Sequence, residues 1–426
     1  MFATIQEKIT RFLRWSERYT KIDMVYFASG GSLSLLGQGL NIIASLALAV
    51  AVSHFISKDS YGVYKYIVSI ITILSLFSLN SIGSAVFQSA AEGLDGALIK
   101  GFWENIRWSV VIFVGTLGLS LYYFSAHNDT LAVGVLIGGM LSPFLASASL
   151  FGSFLGGKKD FYRLTVYGIL DNVIPVLIFI GVVIITGNPI VLVSAYFLTN
   201  TIAGLYFYRR TILVYRANMH KHDAGMLGYS KHLSFMGILT GIASNIDQII
   251  LFHYVGASQL AVYNFATAIP DQMKGPIRTI DSMVQARFVN HSAVEIKRSM
   301  RNKIFLYVAS GTAVTLAYIA IAPFIFHLLF QNYAEAIWYS QIYALWIIPV
   351  CLDPLSSYIC SRRLIAEQYI ANVVYTIFQI AALFIGVIFW GLLGVVIARI
   401  LTRVAVSATN FVLYRRAIER EISASV

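Results

Sequence analysis

Between residues 27 and 413 the chain repeats one pattern: an unbroken apolar stretch, a short polar turn, then another such stretch. Each stretch has about 20 residues, the length an α-helix needs to cross a hydrocarbon core of about 30 Å. In lipid no water is available to satisfy backbone N–H and C=O groups, so only helices and closed barrels can span it. The stretches are continuous rather than alternating, which predicts helices and not barrel strands. Twelve are expected, at 27–56, 61–88, 107–125, 131–155, 164–186, 190–208, 233–255, 259–285, 303–322, 337–359, 370–390 and 392–413. The fold class is therefore an all-α polytopic membrane protein. Composition agrees: 58% of residues are hydrophobic and 12% charged, against about 25% charged in soluble domains.

Lysine and arginine set the expected orientation. With both termini in the cytoplasm, 25 of the 31 Lys and Arg fall in cytoplasmic segments, and the outer turns hold only Lys58. A net charge of +11 thus marks one face of a membrane, and the nucleic-acid class is excluded. Residues 1–26 place Phe2, Ile5, Ile9, Phe12 and Tyr19 at helical spacing with basic residues between them. This predicts an amphipathic segment lying on an anionic leaflet, and the absence of a compact apolar core before residue 22 argues against a cleaved signal peptide.

At an offset of 199 residues, "HFISKDSYGVYKY" (54–66) falls on "HYVGASQLAVYNF" (253–265). Six expected spans separate the copies, so both halves cross in the same sense, as a parallel repeat. The predicted organisation is a six-helix bundle at 27–208, a basic cytoplasmic linker at 209–232, a second six-helix bundle at 233–413 and a tail at 414–426. Such halves place a binding site between them near the midplane and alternate its access by rocking.

Ten ionisable residues lie inside the expected spans: Lys65, Asp171, Asp247, Asp271, Lys274, Arg278, Asp281, Asp353, Arg399 and Arg403. Each costs about 2.5–3.5 kcal/mol at a helix centre by insertion scales, so they must line a polar cavity or pair with one another. Lys274, Arg278, Arg399 and Arg403, together with Lys65, form the candidate binding set for an anion, because guanidinium groups grip phosphate oxygens in a planar fork. Asp171, Asp247, Asp271, Asp281 and Asp353 are candidates either for ion coupling or for pairing with those cations. Asp247 has no basic neighbour in its own span, which favours it as the protonating group. The hydroxyl-rich stretch Ser69, Thr72, Ser75, Ser78, Asn80 and Ser81 suits sugars, or alternatively helix packing.

Cys351 and Cys360 form no metal or disulfide pattern. "GSFLGGKKD" (152–160) approaches a phosphate-binding loop but has Lys159 where Ser or Thr is needed, and no strand precedes it. No catalytic motif, resident cofactor or metal site is predicted. The outer turns, such as 127–130, are too short to carry catalytic groups, which argues against a membrane polymerase or ligase.

"SKDSYGVYKYIVSIITILSLFSLNSIGSAVFQSAAEG" (57–93), above all Tyr61-Gly62-Val63-Tyr64, and "APFIFHLLFQNYAEA" (322–336) resemble the polysaccharide (O-antigen, Wzx-type) flippases. These belong to the multidrug/oligosaccharidyl-lipid/polysaccharide (MOP) exporter superfamily. The resemblance implies translocation of an undecaprenyl-diphosphate-linked oligosaccharide repeat unit across the bacterial inner membrane, with a cationic lumen and H+, or Na+, as the candidate coupling ion. It implies as partners the lipid-linked oligosaccharide, the bilayer, and the polysaccharide polymerase and chain-length machinery. The alternative within the same superfamily is a multidrug or cation antiporter.

Overall fold

The structure, a computed structural model, describes residues 24–217, 225–273, 288, 292–362 and 364–424. The amphipathic segment before Met24, and the candidates Lys274, Arg278 and Asp281, lie outside the described residues. The first half contains α1 (Met24–Phe55), α2 (Lys58–Ser75), α3 (Ile82–Ala91), α4 (Ala97–Trp108), α5 (Val110–Ser125), α6 (Asp129–Ala148), α7 (Leu150–Gly157), α8 (Phe161–Ile185) and α9 (Pro189–Tyr215). The second contains α10 (Met226–Tyr254), α11 (Ala257–Gln272), α12 (Ala293–Leu329), a 3-10 turn (Gln331–Tyr333), α13 (Ala336–Ala344), α14 (Ile347–Val350), α15 (Pro354–Ser361) and α16 (Ile365–Ala424).

Eight described segments are long and apolar enough to cross a membrane. The last of them, α16, reverses at Gly391 (φ 55°, ψ −130°), a left-handed conformation open to glycine, and so crosses twice. The pair α13–α14 and α15, bent by 41°, supplies another crossing. The α2–α3 pair and α11 occupy the two remaining positions of the expected twelve. The turns are closed by short polar caps. Ser57 accepts from the Ser60 N–H, Asn128 from Leu131, Asp160 from Arg163, and Asn188 from Ile190 ahead of Pro189. Ser292 and Glu295 form a reciprocal capping box at the start of α12.

The repeat is visible in the helix ends. At the offset of 199, Phe55, which ends α1, meets Tyr254, which ends α10; Lys58, which begins α2, meets Ala257, which begins α11.

The helices outrun the apolar stretches at the end of the bundle that carries the termini, called here the near end. Residues 209–215 and 226–232 continue α9 and α10, so helix occupies most of the expected linker, and the expected tail is helical through Ala424. The physical reason is visible in α4. It begins at Ala97 and buries Ala97, Leu98, Gly101, Phe102 and Asn105 while Trp103 and Arg107 stay exposed. Hydropathy sees only the spanning part, whereas an established helix propagates as long as one face can be buried.

The halves meet along two lines. On one, α10 follows α2 and α3: Ser69 Oγ donates to Gln248 Oε1 at 2.8 Å, and the Ser81 N–H donates to Ser234 Oγ at 3.1 Å. On the other, contact gathers at the far end. Asn332 Nδ2 donates to the Ser53 carbonyl at 2.8 Å, Ser53 Oγ donates to the Leu329 carbonyl at 3.2 Å, and Lys58 Nζ pairs with Glu335 at 2.5 Å. Beneath these ties one apolar core runs through both halves, joining Ile67, Val193 and Phe197 to Phe265, Phe330 and Tyr333.

Candidate functional site

Ser244 and Asp247 are three residues apart on α10 and so share a face. Tyr263 comes from α11, on the other side of the turn at 255–256, and Arg399 from the second arm of α16. The three helices converge on one carboxylate oxygen. Arg399 Nη2 and Nε donate to Asp247 Oδ2 at 2.6 and 3.0 Å, and Nη2 also donates to the Ser244 carbonyl at 2.9 Å. The Tyr263 hydroxyl donates to the same Oδ2. Asp247 is 1% exposed, and its Oδ1 is buried with no hydrogen-bond partner among the described residues. The partner that Asp247 lacks in its own span thus comes from another helix.

One turn further along α16, Arg403 pairs with Asp353, and its guanidinium lies 5.7 Å from the centre of the Trp346 ring. Asp271, near the end of α11, accepts a hydrogen bond from the Tyr343 hydroxyl at 3.0 Å, and Tyr343 stacks on Trp346. The second half therefore carries a band of charges engaged with one another or with aromatic hydroxyls.

Two predicted residues of the first half stand apart. Lys65 lies on the stripe Tyr61, Lys65, Ser69 of α2, at the four-residue spacing that shares a face. Tyr61 touches Phe265 of the second half, with ring centres 5.5 Å apart, and Ser69 bonds Gln248. Lys65 is therefore on the seam between the halves. It is half-buried, with Nζ 5.6 Å from the Tyr61 ring centre, and among the described residues it forms no ion pair. Asp171 on α8 is half-buried, and its Oδ1 is buried with no hydrogen-bond donor among the described residues. It faces Gly204 of α9, where a Cβ would lie 3.9 Å from that oxygen.

The hydroxyl stretch does not form a helix face. Helix α2 ends at Ser75 and α3 begins at Ile82, so much of it is the break between them. Thr72, Ser75 and Ser78 donate to the carbonyls of Val68, Thr72 and Ser75, as hydroxyls with no water at hand do. Among the described residues, Ser69 reaches a side chain of the other half through its hydroxyl and Ser81 through its backbone N–H.

Sequence reasoning missed Tyr263 and Tyr343. A signal for Tyr263 existed: Asp247 and Tyr263 are equidistant from Val255, the centre of the hairpin turn, so antiparallel packing sets them at one level.

A profile of the polysaccharide biosynthesis protein family matches residues 51–293. The chain belongs to that family. No curated protein matches the sequence at a significant level. Among solved structures, this polysaccharide biosynthesis protein is similar to an inward-facing multidrug resistance MATE family transporter of the MOP superfamily. They share 15% identity with a TM-score of 0.74, over 91% of this chain and 96% of that one. An outward-facing structure of a transporter of that family superposes with a TM-score of 0.63 at 15% identity, over 93% and 95% of the two chains. A MOP superfamily transporter from Pyrococcus furiosus, described by the reverse polarity of its binding pocket, gives 0.56 at 15% identity over 93% and 94%. These likenesses, all at 15% identity, show that the chain has the fold of those multi-pass transporters.

Proposed function

We propose that the protein is a flippase that carries undecaprenyl-diphosphate-linked oligosaccharide repeat units, of O-antigen or a related surface polysaccharide, from the cytoplasmic to the periplasmic leaflet of the bacterial inner membrane. The family match supports a polysaccharide precursor as cargo. The observation that carries the reading is Lys65: a cation on the seam between two rocking halves, with no ion pair among the described residues. An uncompensated cation there favours an anionic headgroup, and the surrounding tyrosines offer apolar faces to sugar rings. Lys274 and Arg278 extend the candidate cationic set, while Arg399 and Arg403 are already engaged by Asp247 and Asp353 and contribute chiefly to the field. With the inside negative, outward movement of the anion is favoured by about 2.3 kcal/mol per charge per 100 mV.

The coupling group we propose is Asp171, with H+ as its ion. Its Oδ1, which accepts no hydrogen bond among the described residues, leaves room for a proton to be gained and lost, whereas Asp247 is already engaged by Arg399 and Tyr263. Polymerase and chain-length proteins would take over the delivered units.

Deletion of the gene in a host of known surface polysaccharide tests the reading. Undecaprenyl-linked repeat units should accumulate on the inner leaflet while surface polysaccharide is lost. Normal polysaccharide with new sensitivity to lipophilic cations would favour a multidrug antiporter instead.

A further inference from the structure

At the near end, α3, α7 and α10 border an open cleft of about 560 Å³. The first half supplies Ser84, Phe87 and Gln88 from one face of α3 and Ser153 from α7; the second supplies Tyr229 from α10. Phe87 and Tyr229 are 49% and 47% exposed, large values for two rings facing a shared space.

The polar groups decide what the cleft holds. Ser84 Oγ, Ser153 Oγ, the Gln88 amide and the Tyr229 hydroxyl make no hydrogen bond among the described residues. Their neighbours behave differently: Ser75, Ser78, Ser149 and Ser230 each donate to a carbonyl three or four residues back. Four unpartnered polar groups facing hydrocarbon would each be costly, so this surface faces water or a polar ligand. Gly83 keeps the floor open, since a Cβ there would lie 2.8 Å from Ser153 Oγ and displace it.

Half-exposed aromatic rings beside hydroxyl and amide groups match the two-sided chemistry of a sugar, which offers apolar C–H faces and a rim of hydroxyls. Among the described residues the cleft is lined by neutral side chains, which suit a sugar better than a diphosphate. We infer that this cleft is a carbohydrate subsite that binds the oligosaccharide head of the cargo at the near-end mouth, apart from the seam at Lys65. The inference rests on the flippase reading above and adds a second, neutral contact to it. Because Tyr229 belongs to the opposite half, rocking changes the spacing of the two rings, and the subsite is complete in one orientation only.

Photocrosslinking tests this with the full chain in its own host membrane. Benzoylphenylalanine replaces Phe87 in one strain and Ser69, on the seam, or Thr72, one turn beyond it on α2, in another, and the host's lipid-linked oligosaccharide is labelled by growth on 14C-glucose. A sugar-bearing adduct at 87, absent from a host that makes the polyprenyl carrier without sugars, is the expected result. Sugar-bearing adducts at 69 or 72 with none at 87, or with phospholipid alone at 87, would overturn the subsite and leave the flippase reading standing. No sugar-bearing adduct at any of these positions would overturn both. In parallel, the double variant Phe87→Ala/Gln88→Ala should raise half-saturation for the lipid-linked oligosaccharide about tenfold in inverted vesicles, the loss expected from one ring contact and one hydrogen bond. Unchanged half-saturation with normal protein level would count against the subsite.

Discussion

Arg399 and Asp247 are joined by two hydrogen bonds of 2.6 and 3.0 Å across two helices, on a carboxylate that is 1% exposed. A buried pair of this kind gains little over an apolar replacement, yet losing one partner strands the other charge at a cost of about 3–5 kcal/mol. Arg399→Ala and Asp247→Asn should therefore lower the amount of folded protein in the membrane and its melting temperature in detergent. The double variant Arg399→Leu/Asp247→Leu should recover much of that stability. Two single variants as stable as the parent would show that the pair is not holding α10 to α16.

Lys65 has the opposite signature. It forms no ion pair among the described residues, so removing its charge strands nothing. Lys65→Ala should leave protein level and melting unchanged and cut export by about tenfold or more, the worth of a charge-assisted hydrogen bond. Lys65→Arg should retain most of it. Export of surface polysaccharide in a complemented deletion strain reads the difference; normal export by Lys65→Ala would remove Lys65 from the binding set.

This contrast shows where sequence reading reaches and where it stops. The twelve crossings and the 199-residue repeat were legible because lipid forces one pattern, an apolar helix of fixed length, and duplication preserves turn positions such as 55–58 and 254–257. The near-end extensions were not, because amphipathic turns such as α4 carry charges that a hydropathy window reads as loop. Nor was the division of labour among the charges. Which arginine meets which aspartate is set by helix rotation and tilt, so Arg399 with Asp247 is 152 positions of chain away from any local cue. The hydroxyl stretch misled for another reason: serines that suit a sugar also suit the end of a helix, and Ser75–Ser81 is such an end.

At the near end, Asp160 caps α8 and accepts from the Arg163 N–H at 3.1 Å, from Arg163 Nη1 at 2.5 Å and from the Tyr215 hydroxyl at 2.7 Å. Partial burial pushes this carboxyl up, but the hydrogen bonds from Tyr215 and Arg163 outweigh it and hold its pKa below the ordinary carboxylate value. A depressed folded-state pKa stabilises the protein at pH values above the unfolded carboxylate's pKa, and that contribution is lost as pH falls through the folded value. Asn caps a helix as well as Asp, so Asp160→Asn should reduce stability only through the lost charge facing Arg163 and Tyr215. The gap from the parent should stay constant through neutral pH and close in acid. Melting temperatures measured across pH check it; a gap that widens in acid would reverse the sign.

Gly62 on α2 lies against the start of α11, where an ideal Cβ would sit 1.9 Å from the Ala257 carbonyl oxygen. No side chain fits without moving the two halves apart, because the obstacle is backbone. Gly62→Val should therefore open the far-end contact, including the nearby Lys58–Glu335 pair. In a background lacking Cys351 and Cys360, the pair Lys58→Cys/Glu335→Cys should be joined readily by a short bis-maleimide cross-linker, since the two native side-chain tips meet. Adding Gly62→Val should reduce the cross-link yield severalfold, and transport should fall with it, since one of the two orientations is then disfavoured. An unchanged cross-link yield would mean that α2 and α11 accommodate the side chain locally and that Gly62 does not govern closure of the far end.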